Sequence, residues 1–150
     1  MMLPLISCYK QQEQSNCELP LPRTAFRVDI RLLETPESVK VNSFFYVTAV
    51  VKNKSLERWP SLRSAEGKFA VVASYIVRDQ NNKQVKEGGH TMLPDDLQPG
   101  EKLSLDVSIK APEYPGRFKI VVDLLHEGVG WFTQYDTSRS PAIFEVSVIK

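Results

Sequence analysis

The sequence predicts an all-β, immunoglobulin-like antiparallel β-sandwich of seven to eight strands, and three observations predict it. Residues 102–110, KLSLDVSIK, alternate polar and apolar without exception, the period of a strand with one face in a core. After a Pro/Gly-rich turn at 112–116, Phe118, Ile120, Val122 and Leu124 resume the alternation, so the two segments read as a hairpin. No stretch has the 3.6-residue period of a useful amphipathic helix, and short strands separated by Pro/Gly turns are the pattern of a two-sheet fold.

In chain order, residues 1–25 show neither period and are expected to form a disordered or extended N-terminal arm, with the sandwich domain at 26–150. The arm holds both cysteines. Residues 5–8, LISC, resemble a lipoprotein cleavage box, which would place an acyl chain on Cys8 and the protein outside the cytoplasm; only seven residues precede Cys8, none of them basic. Cys8 and Cys17 would close only a short disulfide loop of small stabilising effect, and without an export signal the expected compartment is cytoplasmic.

Residues 26–32 alternate apolar and charged, with Phe26, Val28, Ile30 and Leu32 inward. Residues 34–38, with Pro36, interrupt the chain. Residues 44–51, FFYVTAVV, are rich in aromatic and β-branched residues on both faces, as expected of a central strand covered on both sides. Residues 56–68 form a long connection around Trp59-Pro60, and 69–78 a second fully apolar strand ended by an Asn-containing turn at 79–83. The polar residues 84–90, with Gly88-Gly89, suit a single edge strand, and 142–149 supply the last strand with Phe144, Val146 and Val148 inward.

Charge excludes one class of partner. Lys plus Arg is 19 against 18 for Asp plus Glu, without a basic cluster, so neither nucleic acid nor an anionic membrane is expected, and no apolar run reaches the ~20 residues of a spanning helix. Catalysis is not expected either. The two histidines, His90 and His126, lack a nucleophile turn, there is no glycine loop for phosphate, and His126-Glu127 is half a zinc motif with Gly130 where the second histidine belongs. Asp95-Asp96 reads as a solvated turn, and neither a metal nor a cofactor is expected.

The candidate ligand residues are aromatics outside the strand pattern. Trp131 and Phe132 follow a glycine-flanked segment, and neighbouring residues of an extended chain face opposite ways, so one ring is expected to be displayed. An indole suits the apolar face of a sugar, with Glu127, His126, Arg78 and Tyr135 as hydroxyl partners and Trp59 as a second ring.

The motifs Leu93-Pro94-x-Asp96-Leu97-x-Pro99-Gly100-Glu101, Ala111-Pro112-x-x-Pro115-Gly116-x-Phe118 and Glu127-Gly128-Val129-x-Trp131-Phe132, with Trp59-Pro60 upstream, resemble the Ig-like accessory domain of bacterial glycosyltransferases and methyltransferases of surface-polysaccharide clusters. More distantly they are similar to the polysaccharide-recognition domain of O-antigen ABC transporters. The resemblance spans about residues 27–150, with Asn81-Asn82 where the family has glycine and without a catalytic domain in the chain. It implies a non-catalytic module that recognises a glycan, or one that docks a glycosyltransferase or transporter. The alternative is a protein-interaction sandwich using the edge strand at 84–90, by which two copies could also pair.

Overall fold

The computed structural model describes residues 19–61 and 69–150. Ten strands, β1 (Val28–Leu32), β2 (Ser38–Lys40), β3 (Phe44–Asn53), β4 (Val71–Arg78), β5 (Gln84–Glu87), β6 (Thr91–Met92), β7 (Lys102–Lys110), β8 (Gly116–His126), β9 (Gly130–Trp131) and β10 (Ala142–Ile149), form two layers, with one helical turn, α1 (Phe132–Tyr135), between β9 and β10. The smaller sheet has the order β1-β3-β7. The larger runs β2-β10-β8-β4-β5, with β6 on β4 and β9 on β8. This is an all-β, immunoglobulin-like sandwich.

Alternation decides which side chains meet between the layers. Val47, Ala49 and Val51 of β3, with Leu105, Val107 and Ile109 of β7, pack on Ala73, Tyr75 and Val77 of β4, Ile120, Val122 and Leu124 of β8, and Val146 and Val148 of β10. Burying an aliphatic side chain of this kind is worth about 1.5–3 kcal/mol before chain entropy, so a one-residue slip of β7 would expose its whole inward set.

Four expectations are corrected. The segments at 102–110 and 116–126 do not form a hairpin: β7 pairs with β3, whereas β8 pairs with β4 and β10, so the turn between them crosses from one sheet to the other. Alternation names an inward face but not a neighbour, and Ala111 and Pro112, both buried, carry the chain through the sandwich wall. The strand at 44–51 is not covered on both sides, since Phe44 and Tyr46 are 69% and 67% exposed on the outer face of the smaller sheet. The edge strand at 84–90 is shorter than expected: β5 ends at Glu87, before Gly88, whose position against the Tyr75 ring leaves no room for a side chain, and β6 pairs with β4 only beyond the expected span, at 91–92. Residues 38–40, within and beyond the expected break, add a short strand parallel to β10, so the sandwich is not wholly antiparallel.

The end of the expected arm belongs to the domain. Residues 23–25 form a 3-10 turn, Ala25 is buried, Leu21 packs on the core, and the Leu21 N–H donates to Nε2 of His126 at 3.0 Å. Cys8 and Cys17 lie outside the described residues.

Candidate functional site

Three of the expected ligand residues are core. Trp59, Phe132 and His126 each expose 0% of their surface. They close one end of the sandwich as an aromatic knot around Phe26, whose ring centroid lies 4.9 Å from Phe132, 4.6 Å from Tyr135 and 5.7 Å from His126. Phe132 meets Trp59 edge-on at 5.2 Å, and the indole N–H of Trp59 donates to the Ala25 carbonyl at 2.8 Å. The Trp59 indole N–H is thereby satisfied within the fold, since one buried without an acceptor would cost free energy. His126 is held neutral: burial lowers its pKa below the ordinary imidazole value, and Nε2 is already the acceptor for Leu21.

The remaining four do not converge. Arg78 is at the far end of β4 from Val71, which pairs with His126, so about 23 Å of strand separates it from the knot. Glu127 is engaged by His90, whose Nδ1 lies 2.6 Å from its carboxylate. Tyr135 is half-buried, its ring stacked on Phe26 and its hydroxyl donating to the Val129 carbonyl at 3.3 Å. Trp131 pairs with Leu125 and so sits on the outer face of the larger sheet, half-buried, while Phe132 turns inward. The two rings face opposite ways, and among the seven residues Trp131 and Tyr135 keep half-buried rings, with that of Tyr135 stacked on Phe26.

Close by, Asp123 is buried on that same outer face and receives the Thr133 N–H at 3.0 Å and the Arg139 guanidinium at 2.7 Å. The pair ties the segment after α1 to the sheet and is thereby occupied. Among the described residues there is no group of three metal-ligating side chains, and no helix is long and apolar enough to cross a membrane.

The aromatics that are displayed stand elsewhere. Phe44 and Tyr46 point the same way from β3, about 7 Å apart along the strand. Their neighbours on that face are Lys110 and Ser108 of β7, then Thr48, whose hydroxyl donates to Asp106 at 2.7 Å. The Lys110 ammonium lies 5.4 Å above the Phe44 ring. Among the described residues the outer face of the smaller sheet is thus a platform of two exposed rings bordered by hydroxyls, a carboxylate and a cation. The signal in the sequence was the second aromatic set of FFYV, read as lying under a covering layer, whereas among the described residues Phe44 and Tyr46 are exposed.

No protein-family model matches the chain, and no curated protein matches it. Solved structures do. A β-glucosidase from Listeria innocua in complex with glucose is 15% identical, with a TM-score of 0.51 over 83% of this chain and 16% of that one. An alkylpurine DNA glycosylase from Pseudomonas fluorescens, bound to DNA containing an abasic site analog, is 11% identical, with a TM-score of 0.51 over 82% of this chain and 30% of that one. The CARDB domain of a Pyrococcus furiosus protein aligns over 81% of this chain and 90% of its own, at 20% identity and a TM-score of 0.44. The chain spans less than a third of the glucosidase and of the glycosylase, and what it shares with them is the fold.

Proposed function

We propose that the chain is a non-catalytic recognition module that binds a glycan on the open face of the smaller sheet, as an accessory to surface-polysaccharide assembly. The observation that carries this reading is the exposure of Phe44 and Tyr46, 69% and 67%, side by side on one face. Isolated rings at a surface need no explanation, but two adjacent ones ringed by Ser108, Thr48, Asp106 and Lys110 offer stacking and hydroxyl recognition together. The test is a printed array of bacterial surface polysaccharides probed with the wild type, Phe44→Ala, Tyr46→Ala and Trp131→Ala. Binding that is lost in the first two variants and kept in the third supports the platform; no binding to any glycan, or binding that both platform variants retain, refutes it.

A second reading, docking of a partner enzyme, is favoured by the edge of β7. The amides of Ser108 and Lys110 on that edge are taken by the Thr91 hydroxyl at 3.2 Å and the Tyr75 hydroxyl at 2.9 Å. By strand parity the amides of Lys102, Ser104 and Asp106 face the same way beyond this closure, and an extended segment of a partner would pair there. Ser104→Pro removes the central donor at an edge that tolerates proline, so a transferase that co-purifies with the wild type and equally with this variant would exclude edge pairing.

A further inference from the structure

Beside the platform the sandwich opens laterally between the edges of β5 and β7, in a notch of about 270 Å³ lined by Asn42, Val85, Lys86, Lys110, Glu113 and Tyr114. Lys86 is opposite Val77, whose side chain is in the core, so the lysine is directed toward the gap between the layers instead of away from the sheet. Lys110 reaches the same notch from β7. Among the described residues neither ammonium has a carboxylate within 4.0 Å, although Glu113 lines the same wall. Burial, and then the field of Lys110, lower the pKa of Lys86, while Glu113 opposes the shift. Two lysines that border one cavity, close enough for the charge of one to act on the other and neither paired with a carboxylate, are a repulsion that a bound anion would relieve.

We infer that this notch is an anion subsite continuous with the platform, so that the glycan recognised is an acidic one whose charged group sits between Lys86 and Lys110. The inference rests on the glycan reading above and narrows its ligand class. Lys110 joins the two parts: the residue lines the notch and its ammonium lies 5.4 Å from the Phe44 ring centroid, so a sugar stacked on the exposed part of that ring brings a ring substituent within reach of both lysines. Tyr114, 53% exposed, forms the outer wall. The group is a carboxylate, as on a uronic acid, or a phosphate, as in a phosphomonoester substituent on a sugar ring.

The experiment prints each acidic polysaccharide beside its carboxyl-reduced form, and each phosphorylated one beside its dephosphorylated form, and probes them with the wild type, Lys86→Gln, Lys110→Gln and the double variant. The wild type is expected to prefer the charged member of a pair by about tenfold, and the double variant to lose that preference while melting as the wild type does. Which pair shows the preference assigns the charge to carboxylate or phosphate. Equal binding to charged and neutral members overturns the anion subsite and leaves the platform standing, as does a preference that the double variant keeps. Absence of binding to every glycan overturns both.

Discussion

Gly88 and Gly89 are adjacent, and the structure predicts opposite outcomes for the same substitution. A Cβ on Gly88 would fall within the Tyr75 ring: of its three nearest atoms the most distant, Cε2, lies at 2.5 Å, closer than the 3.0 Å that real Cβ atoms respect. A Cβ on Gly89 meets nothing within 4 Å. The Tyr75 ring cannot swing freely, since the residue is 2% exposed and its hydroxyl accepts the Lys110 N–H at 2.9 Å. Gly88→Ala therefore forces overpacking, about 1–3 kcal/mol, and pulls the hydroxyl off its donor, about 1 kcal/mol more. A loss of about 2–4 kcal/mol in a domain of this size lowers the melting temperature by about 10 °C. Gly89→Ala should move it by no more than about 2 °C. The assay is thermal denaturation followed by circular dichroism at 218 nm. Equal melting of the two variants would refute the close packing of Gly88 against the Tyr75 ring.

His126 makes stability pH-dependent in a stated direction. Its folded pKa is below the 6.5 of a free imidazole, so the unfolded chain takes up the proton first, and stability falls as pH drops through 6.5 toward the folded value. In urea titrations at pH 7.5 and 5.5, His126→Gln should lose less stability between the two than the wild type; an equal loss would show that His126 is not held neutral. Removing one member of the Asp123–Arg139 pair, as in Arg139→Met, strands a carboxylate that is 2% exposed and should cost about 3–5 kcal/mol. Asp123→Leu with Arg139→Met should cost less than either single change in the same titration, and additive costs would contradict the pairing. Val107→Asp puts a charge at a position that is 0% exposed and should abolish cooperative melting, whereas Asp106→Val, on the open face, should cost no more than about 1 kcal/mol for its bond to Thr48.

The layered core was legible because it depends on a local period. Leu105, Val107 and Ile109, or Phe144, Val146 and Val148, face inward whatever strand lies beside them. Pairing is not local in that sense. β7 and β8 are consecutive, both alternate, and a short turn joins them, yet Pro112 and the positive φ of 151° at Gly116 lead the chain into the opposite layer. The short strands β2, β6 and β9 were invisible for a related reason: with two or three residues each, they are extended only because a long neighbour holds them.

The candidate site was misread for a different physical reason. Whether an aromatic is enclosed depends on what the rest of the chain lays over it, and Trp59 is enclosed by Ala25, 34 residues upstream, and by Phe132, 73 residues downstream (132 − 59). Irregular spacing marked Trp59 and Phe132 as unusual without telling a plug from a platform. The reverse error fell on Phe44 and Tyr46, whose perfect strand spacing made them look like core. An unequal sandwich separates the two cases: the β4–β8 layer carries Asp123, Arg139 and the segment after α1 on its outer side, while among the described residues Phe44 and Tyr46 stay exposed on the outer side of the three-stranded layer. Strand-spaced aromatics therefore become surface when they fall on the outer face of the smaller sheet, and the two lysines that complete the notch are 24 residues apart (110 − 86) on different sheets, where only the closed fold brings them together.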